Sequence, residues 1–123
     1  MQKVERDLLH KSENFQFLKC HHLLKSEQFN RVFNKGKVVR SKYLLIFSLE
    51  NQLDYPRLGF AISKKSIKSA VKRNRIKRII KEEFRHQKKL LQGIDIVIVS
   101  HNKILELLNH EVREILVTSW KKL

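Results

Sequence analysis

Between Lys64 and Lys89 the chain carries twelve lysines or arginines and only two acids, Glu82 and Glu83, a net charge of +10 in 26 residues. Apolar residues recur inside that run. At ~100° per residue, Ile76, Ile79, Ile80, Glu83, Phe84, Leu90 and Leu91 gather in one broad helical stripe. The stripe demands burial and the cations refuse it. A helix lying on a sheet, with its cations along the margins, satisfies both. Lys77 and Lys81 flank the stripe, and Arg78 and Arg85 lie further round. Arg73 falls within the stripe's angular range, but in the first turn, where it overhangs the end of a core. The spacing predicts a helix over roughly Ser69 to Leu91, closed by Gly93.

The flanking segments supply the sheet. Ser26 reads as an N-cap, followed by Phe29, Val32 and Phe33 at i, i+3, i+4, with Gly36 as the stop. From Val38 the period changes. Val38-Val39 and Tyr43 to Leu49 are rich in β-branched and aromatic residues, as strands are. Asn51 to Pro56 is a turn, and Arg57 to Ser63 a third strand with Leu58, Phe60 and Ile62 on one face. Ile94 to Val99 is a fourth strand, with Asp95 as a polar edge position. Asn109 to Lys121 is a last helix with Val112, Ile115, Leu116 and Trp120 inward. The order αβββαβα predicts a single-domain α+β sandwich with a four-stranded sheet and a strand–helix–strand crossover. Such crossovers are normally right-handed. Residues 1–22 show little periodicity and read as an arm or an added short helix before a domain over 23–123.

The remaining 97 residues carry only +5 of the total +15. A charge of that size on 123 residues repels itself unless a polyanion neutralises it. Nucleic acid is the first candidate, an anionic membrane surface the second, acidic proteins a distant third. No apolar stretch approaches the ~20 residues needed to span a bilayer, so no membrane role is expected. The start, MQKVERDLLHKSENF, has no apolar secretory segment. The single cysteine, Cys20, cannot form an internal disulfide, which favours a reducing compartment and a cytoplasmic location.

On spacing alone, Ser63 to Arg85 reads most simply as a solvated basic face. Three features argue for more. Acids hardly interrupt the cations, whereas a solubilising surface would intersperse them. Arg73-Asn74-Arg75 sets two forked guanidiniums and an amide at a helix start, where backbone N–H groups and the helix dipole also favour phosphate. Lys64 and Lys65 end the strand that feeds the same terminus. The run AISKKSIKSAVKRNRIKRIIKEEFR closely resembles the signature of the bacterial ribonuclease P protein family. It shows Ser63-Lys64-Lys65, Ala70-Val71, Arg73 to Arg78 and Phe84 in that family's order. The resemblance extends back to Leu24 to Phe29, Val32-Phe33, Gly36 and Arg57-Leu58-Gly59, and forward through Asp95 to Val99. It covers about residues 23–121.

The resemblance implies the αβββαβα sandwich, of a kind also found in a ribosomal protein domain, with an unusual left-handed βαβ crossover. It implies a protein subunit that joins a large catalytic RNA and assists removal of the 5′ leader from precursor tRNA, an endonuclease reaction. Mg2+ bound mainly by the RNA would perform the hydrolysis, with no catalytic or metal-binding residue in the protein. Carried onto this chain, Lys64, Lys65, Arg73, Asn74, Arg75 and Arg78 would face the catalytic RNA. Phe29, Phe33 and Phe47 would line a cleft for the single-stranded leader, with Arg73, Asn74, Lys77 and Lys81 along its basic wall. Phe47 stands where some relatives carry tyrosine, and Lys81 where arginine is often found, which would weaken a bidentate phosphate contact. By spacing alone, two phenylalanines at i, i+4 are more often core. Only the resemblance assigns Phe29 and Phe33 to a cleft.

Other constellations are weak. Cys20-His21-His22 are consecutive, whereas zinc pairs usually need two or more residues between ligands. His10, His86, His101 and His110 share no spacing and read as surface residues. There is no Gly-x-Ser-x-Gly and no base partner for Cys20, and clustered carboxylates for two metals are absent. A ribosomal or RNA-chaperone module is the competing class. A DNA-binding basic helix is disfavoured, because Gly93 and a strand follow where leucine heptads would continue, so no DNA partner is expected.

Overall fold

The computed structural model describes residues 25–123. Expectations for the first 22 residues, including Cys20-His21-His22 and His10, lie outside them. The order is α1 (Ser26–Lys35), β1 (Lys37–Arg40), β2 (Leu44–Glu50), β3 (Arg57–Phe60), α2 (Ala70–His86), β4 (Ile94–Ser100), a 3-10 turn (Asn102–Glu106) and α3 (Asn109–Trp120). This is the αβββαβα order, with one unforeseen 3-10 turn that buries Ile104.

The four strands form one sheet in the order β1-β2-β4-β3. β1 and β2 pair antiparallel, as do β2 and β4. β3 runs parallel to β4, with α2 as the connection between them. β4 is therefore an interior strand. Asp95 is not an edge position: it is fully buried between Leu49 of β2 and Arg57 of β3. The sequence pattern of one strand does not reveal which strands flank it, and chain order alone would have put β4 outside.

Alternation along β4 divides the molecule. Ile96 and Ile98 join Leu44, Ile46 and Leu58 under α2 and α3, in a core closed by Phe84, Leu116 and Trp120. Val97 points to the opposite face, where it meets Val32 of α1 amid Phe29, Phe33, Phe47, Leu49 and Ala61. α1 and α2 thus cover opposite faces of the sheet.

Several boundaries differ from expectation. Lys25, not Ser26, occupies the N-cap of α1, and its N–H donates to Gln28 Oε1 at 3.1 Å. β3 stops at Phe60, one further bond runs from the Ala61 N–H to the Ile98 carbonyl at 2.9 Å, and a loop follows. α2 ends at His86 rather than Leu91, and a turn closes at Gly93, whose φ of +80° glycine adopts without strain. Gly36 is required for another reason: a Cβ there would lie 2.5 Å from the Ser48 carbonyl oxygen, so the end of α1 rests directly on β2.

Candidate nucleic-acid interface

α2 starts where Ser69 Oγ accepts from the Lys72 N–H at 3.3 Å, a side-chain cap on an otherwise unpaired donor. Ile76, Ile79, Ile80 and Phe84 then bury one face. The two margins of that face meet different neighbours. On one, Arg75 donates to Asn109 Oδ1 at the start of α3, and Arg113 of α3 pairs with Glu82 at 3.1 Å and Glu83 at 3.6 Å. Both acids of the basic run are thus turned towards α3. On the other margin the Lys77 ammonium sits 5.9 Å from the centroid of the Phe60 ring, at the end of edge strand β3. Arg73 and Lys81 lie one turn either side of Lys77, and Asn74 borders them. Arg78 is exposed.

Arg73 does not simply project into solvent. Its Nη1 donates to the backbone carbonyls of Ile67 at 2.7 Å and Lys68 at 3.1 Å. The loop it grips is a turn in which Ser66 and Ile67 both donate to the Ser63 carbonyl, and Ile67 is inserted in the core. Lys64, Lys65 and Lys68 are thereby carried, exposed, on a backbone fastened at two points. Sequence spacing placed Arg73 at a helix start but could not show that its fork turns back on the chain.

Lys65 borders a shallow groove of about 350 Å³ lined also by Leu45, Ser66, Val99, His101 and Asn102. Leu45 and Val99 continue, two residues on, the rows of Phe47 and Val97 on the α1 side of the sheet. Phe29, Phe33 and Phe47 do come together, with the Phe33 and Phe47 rings edge-to-face at 4.9 Å between centroids. All three are half-buried. They pack against the sheet and still offer ring surface, so neither a core reading nor an open-cleft reading describes them fully. Lys77 and Lys81 do not share a pocket with them, because α2 lies across the sheet. The loop after β3 links the two sides, with Ala61 against the α1 cluster and Ile67 in the main core.

Behind the aromatic row lies a charge network that sequence reading missed. The buried Asp95 carboxylate accepts from Arg57 Nε at 2.8 Å and Nη2 at 2.7 Å, and from Asn51 Nδ2 at 2.9 Å. The hydrogen bonds that Arg57 donates to Asp95 push its guanidinium above its ordinary value, against the opposing effect of burial. A raised value means that the pair's stabilisation holds through neutral pH and is lost only in strong base. Arg31 of α1 approaches the same carboxylate at 3.5 Å. Arg57 and Asp95 occupy opposed positions on two strands 38 residues apart in sequence, so only the pairing of β3 with β4 reveals them.

Among the described residues, no group of three or more His, Cys, Asp or Glu could hold a metal ion, and no helix is long and apolar enough to cross a membrane. His86, His101 and His110 are exposed. The described residues present cations that bind anions and aromatic rings that bind apolar surfaces.

The ribonuclease P family model matches residues 17–123. A Pseudomonas aeruginosa protein named ribonuclease P protein component is 46% identical over 103 residues, covering 82% of this chain and 76% of that protein. The solved structure of the Staphylococcus aureus RNase P protein superposes with a TM-score of 0.76 at 28% identity, covering 82% of this chain and 93% of that one. The Thermotoga maritima RNase P protein gives a TM-score of 0.74 at 31% identity, with 83% and 96% covered. The chain belongs to the ribonuclease P protein family, the protein component of a tRNA-processing complex.

Proposed function

We propose that the chain is the protein subunit of the ribonuclease P ribonucleoprotein, binding the catalytic RNA and the 5′ leader of precursor tRNA in the cytoplasm. The reading is carried by the open strip of sheet beside α1. There the half-buried Phe29, Phe33 and Phe47 continue into a groove floored by Leu45 and Val99, with Lys65 at its rim. Single-stranded nucleic acid needs this combination, apolar and aromatic surface for bases and cations for the backbone. A mature tRNA 5′ end has no such strand to offer.

The cations divide the work. Lys64, Lys65 and Lys68 extend from the fastened loop, and Asn74, Lys77, Arg78 and Lys81 line the outer side of α2 beyond it. This second set faces the catalytic RNA, where charge neutralisation lets two polyanions approach and lowers the magnesium requirement. Arg73 acts on the loop and Arg75 on the start of α3. Hydrolysis belongs to the RNA and the magnesium ions it holds.

The test is reconstitution. The protein is mixed with a bacterial ribonuclease P RNA and precursor tRNA at low magnesium, and appearance of the mature 5′ end is followed. Restored cleavage supports the subunit reading. A protein that binds both RNAs but leaves cleavage at the level of the RNA alone is a general RNA-binding module instead.

A further inference from the structure

Of the ten residues of α1 only Val32 is fully buried, with Phe29 and Phe33 packed around it, and the main contacts of the helix fall on β2 and β4. At its C-terminal end Gly36 rests on the Ser48 carbonyl, a contact that leaves no room for a side chain. Phe29 and Phe33 pack beside Val32 on the sheet side of the helix, so their height over the sheet depends on how α1 sits on Val32. A polar contact reaches from α1 to the sheet where Arg31 approaches Asp95, at 3.5 Å.

The chemistry of that contact suits a tether. Asp95 is fully buried, and Arg57 and Asn51 hold both its oxygens in fixed directions. Because Arg57 already neutralises the carboxylate, Arg31 is not needed to make burial tolerable. Arg31 is 44% exposed, whereas the Arg57 side chain is 16% exposed. Arg31 leaves α1 on the side away from Phe33, one residue either way from Val32. Pulling on it therefore rocks the helix about Val32 and sets how far the rings stand off the sheet.

We propose that the Arg31–Asp95 pair is a positioning device that fixes the tilt of α1, and so the fit of Phe29 and Phe33 to a single-stranded RNA. Arg31 acts through the helix and not on the nucleic acid. The proposal rests on the leader-binding reading above. Its size follows from its exposure: a partly exposed pair is worth about 0.2–1 kcal/mol, which predicts a loss of roughly 1.5- to 5-fold in selectivity.

The experiment uses the reconstituted holoenzyme with wild-type protein, R31Q and R31K. Affinities for precursor and mature tRNA are measured over a range of salt, together with melting curves. In R31Q the precursor-over-mature ratio should fall by about 1.5- to 5-fold with the salt slope of precursor binding unchanged, and R31K should recover most of it. An unchanged ratio in R31Q overturns the tether. So does a slope that falls by about one, because that marks a phosphate contact made by Arg31 itself. A wild-type holoenzyme without precursor preference overturns the leader reading, and the tether with it. Should R31Q melt far below wild type, a spin-label pair at Asn30 and Glu106 in a Cys20→Ser background decides. A distance distribution broadened in R31Q and restored to wild-type width in R31K supports the tether, and equal widths in all three proteins overturn it.

Discussion

Truncating Phe33 to alanine separates a ring that supports the fold from a ring that serves a ligand. The ring is half-buried, and its defined aromatic partner is Phe47, edge-to-face at 4.9 Å and 79°. Such a pair contributes about 0.5–1.5 kcal/mol beyond its buried area. With part of the ring already wet, the whole truncation should cost about 1–2 kcal/mol of stability. Phe84, fully buried, provides the yardstick, since its truncation should cost about 3–5 kcal/mol. For a domain of this size 1 kcal/mol moves the melting temperature by roughly 4–8 °C, so the two variants are easily told apart. The functional loss should be as large or larger: a lost base stack is worth about 1–3 kcal/mol, a factor of roughly 5 to 150 in the precursor-over-mature ratio. Binding of the catalytic RNA should hardly change, because the ring carries no charge. The assay pairs tRNA affinities of the holoenzyme with calorimetry of the free protein. A melting temperature as low as that of Phe84→Ala, with the ratio retained, would falsify the cleft assignment and make Phe33 a core residue.

Salt gives a second measurement: if about 6–10 cations meet phosphates, raising salt from 50 to 200 mM should weaken binding of the catalytic RNA by about 10³- to 10⁵-fold, and a nearly flat response would refute the polyanion surface. Arg73→Ala should cost about 1–3 kcal/mol by orphaning the part-buried Ile67 carbonyl. It should also speed hydrogen exchange at the Ser66 and Ile67 amides, whereas Arg75→Ala should leave those amides protected. Asp95→Asn leaves Arg57 with a weakened, uncharged partner in a buried site, and urea titration should show a loss of about 3–5 kcal/mol. A loss below 1 kcal/mol would mean that the network is wetter than its burial indicates.

Local periodicity made most elements legible. The 3.6-residue stripe of Ile76, Ile79, Ile80 and Phe84 is the buried face of α2, and Leu58 does face the core. What failed was whatever depends on distant partners. Asp95 looked like an edge residue because its own strand says nothing of β3 beside it. Arg73 and Arg75 looked alike in sequence, yet one folds back on a loop and the other reaches α3. Phe29, Phe33 and Phe47 were legible as a group only through family resemblance, because an i, i+4 pair on a short helix has the same spacing whether it faces a core or a groove. The end of α2 was overestimated because Leu90 and Leu91 stay in phase with the stripe. Only Leu91 is buried, and Leu90 stands exposed in the turn.

The basic run owes its direction to two carboxylates. Had Glu82 and Glu83 been spread around α2, the helix would present a uniform, weakened positive surface. Both instead meet Arg113 of α3, at 3.1 and 3.6 Å, and Glu82 also reaches Arg85 at 3.9 Å, so neutralisation falls mainly on the side where two helices already pack. A helix with its side chains is about 10–12 Å across, and at physiological salt charges are screened within about 8 Å. The acids on the α3 margin therefore do little to the field at Lys77, on the margin beside Phe60. Arg75 is likewise spent on Asn109, which leaves the strongest potential at the start of α2 and along its β3 side. That is also the side from which the loop bearing Lys64 and Lys65 crosses towards the aromatic face. On the proposed reading, a strand of RNA approaching along this field would be led from the cationic margin to the groove at Leu45 and Val99, where stacking and apolar contact would take over from charge.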